Sequence, residues 1–233
     1  MNITQIKNLY SEKYSFELFY ELAQTLLEEN QFIPKASLSN GGKAVIEGSI
    51  IARPGDIRVD LPIWFGDVSS KNRIIFLGLE PRDTEAKYNI EKKDNFIFAT
   101  PFGIEFWNEK NKYFKSFKSV LKPNDLFVYF TDVVKHYEVK STKNKSDINA
   151  RALFWEKAVL EENLEFLNQE LNLINPTHVI ALGGDSFKFL NHHFGEKWNV
   201  VKVIHPAARP DKKTGMNAYE KVNETLGKIL KSF

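Results

Sequence analysis

The chain has 233 residues, 42% of them hydrophobic, and a formal net charge of +2 at pH 7. This hydrophobic content suits a sizeable core and excludes a disordered chain, and the small net charge excludes a protein that binds nucleic acid through its overall charge. The sequence contains no cysteine, which excludes disulfides, a thiolate nucleophile and cysteine-ligated zinc or iron–sulfur clusters. We expect no metal and no cofactor.

The N-terminal part, about residues 1–70, is predicted to be a helical elaboration of a single domain that spans 1–233. Apolar side chains recur at helical spacing over 4–31, and the Gly- and Ser-rich stretch 37–55 favours loops around short strands such as 44–51. The chain start lacks the basic stretch and apolar run of a signal peptide, and no window reaches the ~20 apolar residues of a membrane span. We therefore expect an intracellular, cytoplasmic monomer without a membrane partner.

Four short, almost entirely apolar runs follow, at residues 73–78, 126–130, 178–182 and 200–204. Strands that are buried on both faces of a parallel sheet have this composition. Helical patterns lie between the runs, most clearly over 151–173. The alternation predicts a three-layer α/β/α sandwich around a mainly parallel four-stranded central sheet. Ligands of such sheets bind beyond the carboxyl ends of the strands, so the residues that follow each run are the candidates for a site.

The first run leads into a loop that contains Gly78, Glu80 and Pro81. Gly78 allows a sharp turn or the close approach of a ligand, and Pro81 stiffens the loop. Glu80 is thereby held at the carboxyl edge of the sheet, either as an ordinary solvated side chain or as a functional carboxylate. The aromatic segment 95–103 follows; it is predicted either to pack in the core or to stack on a flat ring.

The second run leads into Asp132, which is either a cap for the next turn or a ligand-binding carboxyl group. We expect Lys135 and His136, a few residues later, to lie at the surface. The third run leads into Gly183 and Gly184 at the start of an apolar helix, a position that suits helix capping or a bound phosphate.

The fourth run leads into His205 and Pro206, a pair that is uncommon as a purely structural feature. A basic segment follows, and its charges suit contacts with a phosphate backbone. The basic residues are Arg209, Lys212 and Lys213, and together with Pro206 they are the candidates for binding a nucleic-acid backbone.

The order of these segments resembles the uracil-DNA glycosylase superfamily. The resemblance runs from about Arg73 to Arg209 and implies an enzyme that flips a damaged base out of DNA and cleaves its glycosidic bond, in a branch without an iron–sulfur cluster. It rests on Gly-x-x-Pro at 78–81, Phe-Ala-Thr-Pro at 98–101, Thr-Asp-Val-Val-Lys at 131–135, Pro-Thr-His-Val-Ile-Ala-Leu-Gly at 176–183 and His-Pro at 205–206.

The resemblance implies catalytic roles for Glu80 and His205. Glu80 has the position that orients or activates a water, which the family fills with Asp or Asn, and a carboxylate there can stabilise the sugar cation. His205 has the position of the catalytic His in the family's His-Pro-Ser motif, although Ala207 stands in place of the Ser. Its side chain can donate a hydrogen bond to the departing base.

The resemblance also implies four substrate-binding residues, Gly78, Pro81, Phe98 and Asp132. Phe98 would stack on the flipped base, and Asp132 has the position of the Asn that reads the pairing edge of the base. An ionised Asp offers only acceptors and would repel the O4 atom of uracil. Asp132 is therefore either kept protonated by burial, against the influence of Lys135, or reads a base that presents an amino group.

The predicted function is that of a base-excision repair glycosylase, which hydrolyses the N-glycosidic bond of uracil or another deaminated base. Its partner is then DNA that contains a damaged base. Two alternatives remain open: a catalytically silent module on the same fold that binds nucleic acid or a nucleotide, and a hydrolase of small nucleosides. Base release from DNA distinguishes the glycosylase from the silent binding module. Binding that weakens steeply with salt distinguishes a protein that contacts the DNA backbone from a hydrolase of small nucleosides.

Overall fold

The computed structural model describes residues 3–14, 55–79, 89–93, 96–99, 101, 112–121, 125–138 and 157–231. The later part of the helix predicted over 4–31 and the predicted strand 44–51 lie outside the described residues. So do Glu80 and Pro81.

The described helices and strands alternate through the central part of the chain. The helices are α1 (Ile3–Tyr14), α2 (Lys112–Phe117), α3 (Lys157–Ile174), α4 (Gly184–Phe194) and α5 (Ala218–Leu230). The strands are β1 (Ile57–Asp60), β2 (Ile63–Gly66), β3 (Asn72–Gly78), β4 (Asn89–Lys93), β5 (Phe96–Ala99), β6 (Leu126–Asp132), β7 (His136–Glu138), β8 (His178–Leu182) and β9 (Val200–Val203).

The central sheet has the strand order β2-β6-β3-β8-β9. Its four parallel strands β6, β3, β8 and β9 are the four apolar runs of the sequence, so that prediction is confirmed. The sheet also has an edge strand that was not predicted, because β2 pairs with β6 in the antiparallel direction. β2 has only four residues, too few for a clear periodic signal. The central sheet is therefore five-stranded and mixed.

Each face of the central sheet carries its own hydrophobic core, because successive side chains of a strand point to opposite faces. On one face, Ile75 and Leu77 of β3 pack in a cluster with residues of α1, α3 and α4. On the other face, Ile74 and Phe76 of the same strand pack with residues of α2 and α5. This arrangement confirms the three-layer α/β/α fold.

A smaller sheet with the order β4-β5-β1-β7 adjoins the carboxyl end of β6. β1 is parallel to β5 and antiparallel to β7, and the backbone N–H of Asp60 donates to the carbonyl oxygen of Lys135. The region predicted as a helical elaboration thus contains α1 but forms two strands over 57–66. These strands bring the end of β1 next to the end of β6.

Candidate functional site

The chain order of the parallel strands marks where a ligand can bind. The chain runs from β3 to its neighbour β6 on one side, and then to β8 and β9 on the other side. The direction therefore reverses between β3 and β8, and open α/β sheets bind ligands outside the carboxyl ends of the strands at such a point. Gly78 ends β3, and Gly183 follows β8 with a φ of 100°. This positive φ favours glycine, and a Cβ there would make ordinary contact, at 3.7 Å, with the Cβ of His205.

Asp132 lies on one side of this point, at the end of β6 and in register with Gly78. It is only 3% exposed, and Asp60, at the adjoining end of β1, is 2% exposed. Asp60 in turn accepts a hydrogen bond from Nε of Arg58 at 3.0 Å. We call these three buried residues the carboxyl-pair cluster. Burial, and secondly the negative charge of Asp60, raise the pKa of Asp132 well above its usual range, which favours the protonated acid.

Lys135 is completely buried, so the prediction that it lies at the surface is wrong. Its Nζ atom donates to Thr131 Oγ1, to the carbonyl oxygen of Asp132 and to Glu170 Oε2, each at 2.6 Å. The ammonium group is buried because the carboxylate of Glu170, also fully buried, pairs with it. His136, for which a surface position was also predicted, is half-buried.

Glu170 collects further hydrogen bonds from hydroxyl groups. Tyr10 of α1 donates to Glu170 Oε1 at 2.5 Å, and Tyr129 of β6 donates to the same atom at 2.6 Å. The hydroxyl groups of Tyr10 and Thr131 lie 3.1 Å apart. Helices α1 and α3 are thus tied to the end of β6, and the bond from Lys135 to the carbonyl oxygen of Asp132 fixes the backbone at that residue.

His205 lies on the other side of the switch point, two residues beyond the end of β9. Its carbonyl oxygen accepts the N–H of Ala208 at 2.8 Å, and its Nδ1 atom accepts the N–H of Ala207 at 3.1 Å. A neutral imidazole has one donor and one acceptor nitrogen, so its proton is on Nε2. The edge of the His205 ring faces Tyr113, with 6.3 Å between the ring centroids. Pro206 is buried in this turn.

The basic segment after His205 is exposed at Arg209, Lys212 and Lys213. Asp211 organises it, because its carboxylate accepts the backbone N–H of Lys213 at 2.8 Å and a hydrogen bond from Lys221 Nζ at 3.1 Å. These bonds lower the pKa of Asp211, that from the Lys213 backbone most strongly. The loop therefore has a defined shape while its cationic side chains face solvent.

Phe98 belongs by its backbone to β5, where it stands opposite Val59 of β1. The next residue of β1 is Asp60, so the backbone of Phe98 lies one strand away from the carboxyl-pair cluster. The structure thus places Gly78 and Asp132 on one side of the switch point and His205 on the other, with the Phe98 backbone beside the strand that ends in Asp60.

The comparison with protein families agrees with this architecture. The sequence profile described as the Uracil DNA glycosylase superfamily matches residues 65–227. The chain belongs to the uracil DNA glycosylase superfamily. No individual curated protein matches it. Membership of this superfamily supports a glycosylase-type hydrolase, and it supports DNA as the partner, since proteins of the family act on DNA.

Two residues of this superfamily member, Arg58 and Asp60, were missed as site residues. They lie before the matched stretch, in the segment predicted as a helical elaboration. The available signal was the sequence Ile-Arg-Val-Asp, in which opposite charges two residues apart interrupt an apolar run. In a strand such residues share a face, and both are buried in β1.

Among the described residues, no three His, Asp or Glu side chains come together in a group that could hold a metal ion. None of the helices in the described ranges combines the length and apolar character needed to cross a membrane.

Proposed function

We propose that this protein is a DNA glycosylase that hydrolyses the N-glycosidic bond of uracil or another deaminated base, after the nucleotide has been flipped out of the helix. The observation that carries the proposal is the position of Asp132 and His205 on opposite sides of the switch point, within the stretch that matches the superfamily. Asp132 ends β6 and His205 follows β9, and these two strands are three strand spacings apart, or about 14 Å. The spacing supports a base-sized site between the two strand ends.

The proposed reaction breaks the bond between C1′ of the sugar and the ring nitrogen of the base. The electron pair leaves with the base, the sugar becomes an oxocarbenium-like cation, and a water oxygen then adds to C1′. His205 would donate from Nε2–H to an oxygen of the departing base, where negative charge develops. The hydrogen bond from the N–H of Ala207 to Nδ1 supports this role because it keeps the proton on Nε2.

The remaining roles in the proposal depend on the family motifs. Glu80 would orient the attacking water and stabilise the sugar cation through its negative charge. Phe98 would stack on the flipped base, while Asp132 meets the pairing edge and Gly78 and Pro81 line the site. The backbone position of Phe98, next to the strand that ends in Asp60, supports its part in this arrangement.

Exposed cations beyond His205 support the proposed contact with the DNA backbone. Arg209, Lys212 and Lys213 would each neutralise a phosphate, and Pro206 would stiffen the turn that presents them. Each such contact adds about 0.9 to the slope of log K against log salt, so replacing all three by Ala should reduce the slope by up to about 2.7. Lys188→Ala on α4, outside this segment, is the control and should leave the slope unchanged. An unchanged slope in the triple variant would show that these three residues do not contact the phosphates, whereas binding without salt dependence in the wild type would argue for a small-nucleoside substrate.

The activity is tested by base release from labelled oligonucleotides that contain uracil, hypoxanthine, xanthine or a thymine mismatch. Glu80→Gln removes the proposed carboxylate and should abolish most of the release. His205→Asn keeps an acceptor for the Ala207 N–H but removes the donor at Nε2, so we expect a loss of roughly 10²–10³-fold in rate. Circular dichroism of both variants checks that they fold.

The outcome separates the glycosylase from its alternatives. Release by the wild type that falls in both variants supports the proposed reaction and the proposed roles. No release from any oligonucleotide by a well-folded wild type would contradict the proposal. In that case, binding of the same oligonucleotides would favour a silent binding module, whereas release of base from free nucleosides would favour a nucleoside hydrolase.

A further inference from the structure

Two carboxyl groups from different sheets meet at the carboxyl ends of the central strands. Asp132 ends β6 and Asp60 ends β1; they are 3% and 2% exposed, and the backbone N–H of Asp60 donates to the carbonyl oxygen of Lys135, three residues after Asp132. Two neighbouring carboxylates that are buried from water repel each other, so one of the two groups favours its protonated form.

Arg58 decides which group holds this proton. Its Nε atom donates to Asp60 Oδ1 at 3.0 Å inside the protein, so Asp60 is the ionised member of a buried ion pair. Burial and the charge of Asp60 raise the pKa of Asp132, and Lys135, which opposes this effect, is itself paired with Glu170. Asp132 is therefore the member of the pair that holds the proton.

We propose that Asp60 is a positioning residue that accepts a hydrogen bond from the protonated carboxyl group of Asp132, so that Asp132 meets the base as a hydrogen-bond acceptor only. The inference rests on the proposed glycosylase function and defines its substrate class. An Asn at this position would offer a donor as well as an acceptor. The acceptor-only site prefers a base whose ring N–H lies beside a C–H or an amino group, over a base whose ring N–H lies between two carbonyl oxygens.

Three deaminated bases differ in this respect. The N1–H of hypoxanthine has a carbonyl on one side and a C–H on the other, so Asp132 can accept from N1–H while its second oxygen faces the C–H. In uracil and xanthine the N–H lies between two carbonyls. The second oxygen of Asp132 then faces another oxygen in either orientation, and the base oxygen loses its hydrogen bond to water without a replacement. Xanthine and hypoxanthine are both purines of the same ring size. A difference in their release therefore reports the hydrogen-bonding edge of the base and not its size.

Base release from oligonucleotides that contain hypoxanthine, xanthine or uracil tests the preference. The wild type should release hypoxanthine at least about tenfold faster than the other two, the scale of one unmatched polar contact. Asp132→Asn keeps a donor to Asp60 and adds a second N–H that can reach a base carbonyl. Uracil release should therefore rise at least about tenfold relative to hypoxanthine in this variant.

The position of the proton is measured separately and without activity. The carboxyl carbon of Asp132 is followed by NMR through a pH titration of the wild type and of Asp60→Asn. The introduced amide can donate to Asp132 and removes the negative charge, so Asp132 should ionise at lower pH in the variant than in the wild type. Should Asp60→Asn fail to fold, the release ratio of Asp132→Asn decides.

Equal release of the three bases by the wild type, or an unchanged ratio in Asp132→Asn, would overturn the proposal. So would a titration of Asp132 that is the same with and without Asp60. A shifted titration with no release of any base has a different meaning: the glycosylase function would then be wrong, while the assignment of the proton to Asp132 would be supported.

Discussion

The buried ion pair behind the site gives a prediction about stability. Lys135→Met removes three hydrogen bonds of 2.6 Å from a charged donor and leaves the fully buried carboxylate of Glu170 without its cation. Removing one partner of a buried pair costs about 3–5 kcal/mol, because the other charge stays uncompensated. This is a large part of a total stability of about 5–15 kcal/mol. We therefore expect a clear fall in the urea midpoint.

A double-mutant cycle isolates the pair. Glu170→Gln removes the charge but keeps an acceptor for the hydroxyl groups of Tyr10 and Tyr129. The double variant Lys135→Met/Glu170→Gln leaves no unpaired charge, so its loss should be smaller than the sum of the single losses by about 1–3 kcal/mol. Urea unfolding followed by tryptophan fluorescence and far-ultraviolet circular dichroism gives the four free energies.

The surface pair Lys228–Glu224 is the matched control. Its N–O distance is also 2.6 Å, but both side chains are exposed. Exposed pairs contribute little because water screens them, so Lys228→Met should leave the midpoint unchanged. Burial would be refuted as the source of the effect if Lys135→Met cost less than about 1 kcal/mol, or if the single losses simply added.

Two other predictions follow from the backbone and from protonation. Gly66→Ala should lower the free energy of unfolding by about 3 kcal/mol, because φ is 85° and the new Cβ would lie 2.0 Å from the carbonyl oxygen of Leu126. Gly227→Ala in α5 has open space around it and should instead raise the free energy of unfolding by up to about 1 kcal/mol. Equal midpoints for these two variants would contradict the prediction. Because folding raises the pKa of Asp132, its contribution to stability is fully present below the ordinary value of 3.8 and is lost as the pH rises through the raised pKa. Asp132→Asn should remove this pH-dependent loss of stability, which is measured by urea unfolding at a series of pH values. Parallel curves of stability against pH for the variant and the wild type would contradict the prediction.

The sequence by itself determined the core of the fold. Four strands were predictable, namely β3, β6, β8 and β9. A strand that is buried on both faces is apolar at nearly every position, and this pattern is visible in a short stretch of sequence. Their carboxyl ends then identified Gly78, Asp132 and His205 as neighbours, since parallel strands of one sheet end at one edge. The edge strand β2 could not be predicted in the same way, since four residues at an edge give no distinct pattern.

Only the tertiary structure decided the electrostatics of the site. Local sequence places Lys135 in a turn after β6, but the carboxylate of Glu170, 35 residues away in the chain, accepts a hydrogen bond from it and makes its burial possible. The hydroxyl group of Tyr10, 160 residues from Glu170, donates to the same carboxylate. The sequence leaves open whether Asp132 is ionised or protonated. Its burial and the charge of Asp60, which comes from a different sheet, raise its pKa and favour the protonated form. The pKa of a group depends on the charges and the solvent within a few ångströms of it. Those neighbours come from distant parts of the chain, so a single sequence does not reveal them.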